Sequence, residues 1–442
     1  MQPMHKKYPS DRRQLAPERA RALRRVEALR LGVVPDVRDG SNSVGRARQM
    51  SAVESTLSAT GRGQGGLQAF IGDYGAGKTH LLEEIRAEAL RRGFATAHVV
   101  LDPQECKPSH PRRVHRRITT GLAYPDTRHG GLRPLLARAL RSDRARDVFM
   151  VDSEVEPRDA LEDGAHLYLT PALRYLDELG VLESGTLARP KQHAVDLLMR
   201  WLEGDPTLSN SKIQRAMQRV APPRGKLFSL KDYRPWSRIY AYLLSGLARL
   251  ARLSGYGGVA VVLDEAEFHA VLSTRNRGFA LELFRSLAWA AKSGRDLPFP
   301  RSALDGGGQG VLKRLPPNYD EASNLYVAMA FTPTEDGRDT VEDFIPRGWI
   351  RRVNGLQARQ LGALVEPLVQ DFLTAHPGVD IRSEHTAALE AQVESLAESG
   401  ELRTPRDATR FVVSMLDLGR HGDLADELER LTNRNSTQAW GW

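Results

Sequence analysis

A glycine-rich stretch that ends in lysine and threonine is the strongest chemical signal in this sequence. Gly72, four further residues, Gly77, Lys78 and Thr79 fit the pattern G-x-x-x-x-G-K-S/T in GDYGAGKT. Glycines let successive backbone N–H groups converge on an anion, and a helix that starts at the lysine adds the partial positive charge of its N-terminus. We expect this loop to hold the phosphates of ATP. A tight glycine-rich turn without a ligand is the alternative.

The residues of this loop and of the turn after it have expected roles. Lys78 is expected to reach the β- and γ-phosphates and so to take part in catalysis, and the Thr79 hydroxyl is expected to bind Mg²⁺. The backbone N–H groups form the cradle for the phosphates. The residues expected to contact the nucleotide are Gly72, Asp73, Tyr74, Gly75, Ala76, Gly77, Lys78, Thr79 and His80.

A second candidate cluster ends the apolar stretch VAVVLDEAE, which begins at Val259. Asp264, at the carboxyl end of a buried strand, is expected to hold the Mg²⁺ of the nucleotide. Glu265 is expected to orient or deprotonate the attacking water. The pair favours hydrolysis over small-molecule phosphoryl transfer, because a kinase need not position water. The alternative is that Asp264 only caps the next helix.

Two further residues are weaker candidates for sensing the γ-phosphate. Thr332 follows the apolar stretch LYVAMAF and is expected to lie between the phosphate loop and the Asp–Glu strand. In ELRTPRDATRF, Arg406 is preferred to Arg403 as an arginine that swings over the nucleotide. A strand-end turn at Thr332 and ordinary surface charge at a helix start are the alternatives.

An arginine that acts in trans, from a neighbouring copy of the chain, is harder to choose. The candidates follow the third apolar strand, in the stretch IPRGWIRR, and are Arg347, Arg351 and Arg352. A homo-oligomer is left open on this basis.

The elements around these residues predict a parallel sheet. A strand at Leu67–Ile71, a helix at Thr79–Arg92 and a strand at Gly93–Asp102 form a βαβ unit, which requires a crossover connection between parallel strands. Further buried strands are expected to start at Val259 and at Leu325. The fold class is therefore α/β, with a parallel sheet of the P-loop NTPase type.

Changes in pattern along the chain predict the domain organisation. Residues 1–48 form a basic helical segment, residues 49–120 and 237–354 form the two parts of the NTPase core, and residues 121–236 form a mainly helical insertion. Residues 355–442 form a C-terminal helical lid. Within the insertion, Leu169–Leu182 is read either as part of a winged-helix unit or as plain helical core packing.

The composition is that of a folded chain in a reducing compartment. Hydrophobic residues make up 41% and charged residues 27% of the 442 residues, which allows a sizeable core and excludes a disordered chain. Cys106 is the one cysteine, so an intrachain disulfide is excluded. We find neither a signal peptide nor an apolar run near the roughly 18 residues that cross a membrane. We expect a cytoplasmic protein without membrane contact.

The net charge of +8 is unevenly distributed. Residues 1–50 contain twelve Lys/Arg against five Asp/Glu, and a second basic run lies at Lys107–Arg117. Such clusters can neutralise phosphates, so double-stranded DNA is an expected partner. A solvated basic surface is the alternative.

The order of these motifs resembles that of ASCE-type P-loop ATPases of the AAA+/STAND kind, and TPRDATRF resembles the second sensor of that superfamily. More narrowly, four stretches resemble the ATP-binding proteins of bacteriophage-exclusion (BREX) defence systems, in particular their BrxD-like members. These stretches are RVEALRLGVVP, GDYGAGKTHLLEEI, VHRRITTGLAYP and LARLARLSGYGGVAVVLDEAE. The resemblance implies a prokaryotic defence role, with a helicase or other defence-system subunits as partners.

Three functions compete on this basis. The leading one is a DNA-associated ATPase of antiphage defence that works as an ATP-dependent switch or assembly factor with a helicase. The second is a nucleotide-gated scaffold with little turnover. The third is an origin-recognition-like helicase loader outside defence. ATP and Mg²⁺ are the expected ligands in the leading reading.

Overall fold

The computed structural model describes residues 17–35, 44–150, 164–181, 187–222, 226–304, 310–333, 341–421 and 424–434. The chain divides into two compact units. Unit 1 consists of Met1–Gly45 and Leu356–Trp442, and unit 2 consists of Arg46–Gly355. The phosphate loop and the Asp–Glu pair belong to unit 2, whereas Arg403 and Arg406 belong to unit 1.

A parallel sheet of five strands forms the centre of unit 2, in the order β2-β3-β4-β1-β5. The strands are β1 (Gln64–Ile71), β2 (Ala95–Val100), β3 (Val259–Asp264), β4 (Ser323–Phe331) and β5 (Ile350–Arg352). Strand β4 lies between β1, which leads into the glycine-rich loop, and β3, which ends at Asp264. The expected parallel α/β sheet is confirmed.

The apolar strands are continuous because helices cover both faces of the sheet. All six residues of β3 and all nine of β4 are buried. One face packs against α2 (Ala47–Gly61) and α3 (Lys78–Arg91), and the other packs against α10 (Ser237–Leu253) and α11 (Thr274–Lys292). The sheet and these helices position the described loops at its carboxyl edge, among them the glycine-rich loop after β1 and the turn after β3.

Strand β5 corrects the sequence interpretation. The stretch IPRGWIRR was expected only to follow the third strand, but Ile350–Arg352 is a strand of its own that pairs in parallel with Ala69–Ile71 of β1. A three-residue edge strand with two arginines carries no apolar pattern that would reveal it. Two of the trans candidates, Arg351 and Arg352, therefore lie beside the phosphate-loop strand.

The remaining helices of unit 2 surround this sheet. They are α4 (Pro111–Thr120), α5 (Arg133–Leu140), α6 (Asp143–Phe149), α7 (Leu169–Glu178), α8 (Arg189–Leu202) and α9 (Asn210–Gln218). Between residues 121 and 236 the described residues form helices and loops, with Ala123 in a single β-bridge to Thr96. Because no β-wing lies among them, the winged-helix interpretation of Leu169–Leu182 has no support there; residues 182–186 lie outside the described ranges.

Unit 1 is a separate helical core. Its helices are α1 (Pro17–Arg30), α12 (Ala358–Gly362), α13 (Val365–Ala375), α14 (Ser383–Glu398), α15 (Pro405–His421) and α16 (Leu424–Arg434). Helix α1 buries Ala22 and Val26 against α13 and α15. The N-terminal helix and the C-terminal helices therefore share one core, which the sequence did not indicate.

Within the described ranges, the helices are too short or too polar to cross a membrane.

Candidate functional site

The glycine-rich loop joins β1 to α3 in a left-handed backbone conformation. Gly75 and Gly77 have φ angles of 79° and 87°, which side-chain-bearing residues rarely adopt. Gly77 is the N-cap of α3, and no side chain caps the first turn of that helix. The N–H groups of this turn are therefore available to an anion, as the sequence predicted for a phosphate cradle.

The first glycine of the motif is required by close backbone packing. A Cβ atom at Gly72 would lie 2.3 Å from the carbonyl oxygen of Val353. The Gly72 N–H also donates a 3.1 Å hydrogen bond to the Phe331 carbonyl at the end of β4. The start of the loop is thus held between the ends of two neighbouring strands.

The lysine of the motif lies folded into the loop. Lys78 is 8% exposed, and its Nζ donates hydrogen bonds to the carbonyls of Gly72 (2.9 Å) and Asp73 (3.1 Å). Both carbonyls belong to the cradle itself. The ammonium group is therefore held inside the loop by two backbone acceptors.

The other predicted nucleotide contacts differ in exposure. Tyr74 is 82% exposed and Ala76 is buried. His80 extends along α3 to Glu84, with 3.0 Å between its Nε2 and the Glu84 Oε1. The Tyr74 side chain therefore points to solvent, and the His80 side chain points to Glu84 on the same helix. We expect these two residues to contact phosphate through their backbone N–H groups.

Asp264 lies at the carboxyl end of β3 and is 2% exposed. Its carboxylate interacts with the Thr79 hydroxyl at the start of α3. Burial raises the pKa of Asp264, but the interactions with His98, with Thr79 and with the Glu265 N–H outweigh burial and hold it below its usual value. Asp264 is therefore an ionised carboxylate in contact with the phosphate-loop helix.

The Thr79–Asp264 pair fits the donor set that Mg²⁺ prefers, which is a few oxygen ligands completed by phosphate and water. Among the residues that the structure describes, no group of three or more His, Cys, Asp or Glu side chains could hold a metal. The oxygen chemistry at this point fits the predicted metal.

Glu265 has a strained backbone directly after the strand. Its φ angle is 57°, and such left-handed angles in residues other than glycine concentrate at functional sites. Burial, then the charges of Glu267 and Asp264, raise the pKa of Glu265 to about 7. The following residues, Ala266–His269, form a 3-10 helix without a side-chain cap, so the helix-cap alternative for Asp264 finds no hydrogen bond to support it.

Thr332 follows β4 at the same edge of the sheet. Phe331 pairs with Ile71 of β1, and Met329 pairs with Leu263 of β3. The next residue, Thr332, therefore lies at the level of Gly72 and the end of β3. Its side chain is half-buried. The topology brings it to the predicted place, whereas its sensing role remains a prediction.

The arginine candidates are spread over both units. Arg347 is exposed and pairs with Glu342 at 2.7 Å, and Arg351 bonds to carbonyls of its own segment. Arg403 and Arg406 are exposed at the start of α15 in unit 1. Thr404 and Asp407 explain that helix start, because each side chain accepts from the backbone N–H of the other. The roles of the arginines at the nucleotide remain predictions.

Two residues of the site were not foreseen from the sequence. His98 of β2 lies between Glu83 of α3 (Nδ1–Oε1 2.5 Å) and Asp264 (Nε2–Oδ2 3.8 Å). Burial lowers the pKa of His98, but these two carboxylates outweigh it and raise the value to about 9. A histidine in the otherwise apolar stretch ATAHVV was the available signal. The second residue, Arg46, contacts the Ala76 carbonyl of the loop.

The basic run Lys107–Arg117 is largely paired with carboxylates. In α4, Arg112 and Arg113 lie near Asp232, Arg116 lies 3.6 Å from Asp205, and Arg117 pairs with Glu105. These partners cancel much of the charge that the sequence shows. The structure therefore favours a structural role for this run over a free phosphate-binding surface.

A cavity of about 680 Å³ lies away from the predicted residues, beside α5 and Tyr256. One of its charged groups, Arg138, pairs with Asp126, donates to the Ser254 carbonyl and covers the Tyr256 ring. None of the residues predicted for nucleotide or metal binding lines it. The nucleotide hypothesis therefore rests on the sheet edge and not on this cavity.

A parallel α/β sheet with a glycine-rich loop after its first strand and an aspartate after a neighbouring strand defines a P-loop NTPase-like fold. The sequence profile of the family described as BREX system ATP-binding protein BrxC/D matches residues 17–296. The chain belongs to this family of BREX ATP-binding proteins, and the resemblance seen in the sequence is confirmed at that level. Comparison with curated proteins gave no match.

Proposed function

We propose that this BREX ATP-binding protein binds ATP with Mg²⁺ at the loop Gly72–Thr79 and hydrolyses it. The observation that carries the proposal is the position of two buried side chains at the carboxyl edge of the sheet: Lys78 is folded into the loop after β1, and Asp264 ends β3. A cation for phosphate and a carboxylate for a divalent metal are thereby placed at one edge of the sheet, as phosphoryl chemistry requires.

The side chains supply distinct parts of this chemistry. The loop N–H groups and Lys78 bind the phosphates, and charge on Lys78 is most useful where negative charge develops. Thr79 and Asp264 would hold Mg²⁺, which would supply positive charge against the phosphates. Glu265 accepts a proton from the attacking water, since its position after the metal-site aspartate and its half-buried carboxyl suit a general base.

We further propose that the chain acts in the cytoplasm with double-stranded DNA and a helicase or another defence-system subunit, and that ATP binding and hydrolysis switch this assembly. The support for DNA is the basic sequence of residues 1–50, of which residues 1–16 and 36–43 lie outside the described ranges. Charge reversal in Lys6–Arg13 should then weaken duplex binding and flatten its salt dependence. The matched reversal of Arg113 and Arg117, which are already paired, should have less effect.

The proposal is tested by ATP binding and turnover of the full chain, with and without duplex DNA. Lys78→Ala should lose most of its affinity for ATP, because charge-assisted contacts to the phosphates are removed. Lys212→Ala, which changes an exposed lysine of α9, is the matched control and should bind ATP normally. Equal ATP affinity of Lys78→Ala and the parent would refute the assignment of the loop.

A parent chain that binds ATP but shows no turnover under any DNA or partner condition would instead support the nucleotide-gated scaffold. A turnover that depends on Glu265 would support the ATPase switch. Binding and turnover therefore separate the two proposals.

A further inference from the structure

A buried arginine outside the glycine-rich motif contacts the phosphate loop. Arg46 precedes α2 and is 4% exposed. One terminal nitrogen of its guanidinium donates to the Ala76 carbonyl in the loop, and the other donates to the Asn354 carbonyl at 2.8 Å. The side chain thus bridges two backbone segments that lie far apart in the sequence.

The second attachment point is fixed. Asn354 follows Val353, whose N–H donates a 2.8 Å hydrogen bond to Ile71 at the end of β1. The Val353 carbonyl also packs on Gly72 so closely that a side chain there is excluded. From α2, Gln49 donates to the neighbouring Arg352 carbonyl at 3.1 Å. Arg46 therefore ties the loop to the end of the sheet and not to a surface segment.

The bond to Ala76 controls the direction of a neighbouring N–H group. A trans peptide is planar, so the Ala76 C=O and the Gly77 N–H point to opposite sides of the same unit. The described chain contains no cis peptide bond. When Arg46 holds the Ala76 oxygen on one side, the Gly77 N–H is held on the other.

This restraint matters because one of the two residues that the peptide joins, Gly77, is a glycine, and a second glycine, Gly75, precedes Ala76. Gly75 and Gly77 have left-handed φ angles, and glycine crosses between backbone regions with little steric cost. Without a partner for the Ala76 oxygen, the peptide could rotate and turn its N–H away from an anion. A buried guanidinium with two carbonyl partners opposes that rotation.

We propose that Arg46 is a positioning residue for the phosphate loop: by bridging the Ala76 and Asn354 carbonyls it holds the Gly77 N–H toward the bound phosphates. The inference rests on the proposed binding of ATP at this loop. It does not require any contact between Arg46 and the nucleotide.

The test measures the affinity of the full-length chain for two probes, ATP and inorganic tripolyphosphate, which occupies the cradle without a base. In Arg46→Met both affinities should fall by about tenfold or more, the loss expected for a hydrogen bond to a charged group. Arg46→Lys keeps the positive charge but loses the two-pronged guanidinium group. Its affinities for both probes should lie between those of Arg46→Met and the parent. Gln49→Met removes the neighbouring bond to Arg352 and should bind both probes normally.

Hydrogen exchange of the same variants separates positioning from general loss of structure. In Arg46→Lys and Arg46→Met, exchange should become faster in residues 72–81 while the strands keep their protection. If either variant folds and binds both probes like the parent, the inference is overturned. If tripolyphosphate binding falls only together with the protection of the whole of unit 2, Arg46 has a structural role and the inference is also overturned. A parent chain that binds neither probe refutes the proposed function instead.

Discussion

Because Gly72 has no side chain, the phosphate loop can pack closely against the segment that follows the edge strand β5. Gly72→Ala places a Cβ atom 2.3 Å from the Val353 carbonyl oxygen, so either the loop or the segment after β5 must move. We expect a lower melting temperature and weaker binding of ATP. Gly348→Ala is the control, because nothing lies within 4 Å of a Cβ there. Calorimetry and nucleotide titration of the two variants check this; equal behaviour would show that the backbone adapts freely.

Glu265 carries the prediction on chemistry. Glu265→Gln keeps the size of the side chain but cannot accept a proton, so turnover should fall by about 10² to 10⁴ while ATP remains bound. Asp264→Asn should also weaken Mg²⁺-dependent binding, because it removes charge opposite the metal. The exposed Glu321→Gln is the control. Steady-state hydrolysis and ATP titration are the measurements. If Glu265→Gln hydrolyses ATP at the parental rate, another residue activates the attacking water.

For single residues, the sequence predicted those features that depend only on neighbouring positions in the chain. The spacing from Gly72 to Thr79 and the pair after β3 could be read because one strand, one turn and one helix start position them. Arg46 could not be read, since its partner Ala76 is 30 residues away and only packing brings them together. The same holds for His98, whose contacts with Glu83 and Asp264 depend on three separate elements.

Among the secondary-structure elements, helix α1 is attached to α13 by an ion pair. Arg25 of α1 forms an ion pair with Asp371 of α13, with side chains that are 19% and 11% exposed. Removal of Arg25 takes a charged hydrogen-bond donor away from the largely buried Asp371, so Arg25→Ala should lower the free energy of unfolding of unit 1 by about 2 kcal/mol. Arg21→Ala, at an exposed position of the same helix, should change it little. Denaturant titration with a probe in unit 1 tests this prediction. Equal unfolding curves for Arg25→Ala and the parent would show that the ion pair does not stabilise unit 1.

The elements themselves were predicted unequally. Strands β1 to β4 were found because each contains a largely buried apolar run, and their ends were placed within about three residues. Strand β5 was missed because three residues with two arginines form no pattern. Its identity as a strand depends on its pairing with Ala69–Ile71, and a pairing between distant segments is not encoded in local sequence.

At the scale of the whole molecule, two buried histidines should contribute a loss of stability in mild acid. His115 and His166 are fully buried in unit 2, and burial lowers their pKa values from 6.5 to about 4 and about 3. Between these values and 6.5 the unfolded chain binds protons that the folded chain does not, so stability falls as the pH falls. From pH 7 to pH 5 the loss should reach about 2 kcal/mol for each histidine.

Thermal unfolding measured from pH 7 to pH 5 tests this prediction. His166→Asn should flatten the dependence on pH, since asparagine does not titrate in this range, whatever its effect on stability at pH 7. His193→Asn, at an exposed position of α8, should leave the slope unchanged. Parallel slopes for His166→Asn and the parent would exclude His166 as a source of acid sensitivity.

The division of unit 1 between both ends of the chain has a consequence for synthesis. Helix α1 leaves the ribosome before unit 2, whereas the helices that cover Ala22 and Val26, α13 and α15, are translated after unit 2. Unit 2 is continuous and has its complete set of strands as soon as β5 has emerged. Domains generally fold as they emerge, in order from the N-terminus. Here the order of folding differs from the order of synthesis: unit 2 can fold as soon as it has emerged, whereas α1 can bury Ala22 and Val26 only after α13 and α15 have been made.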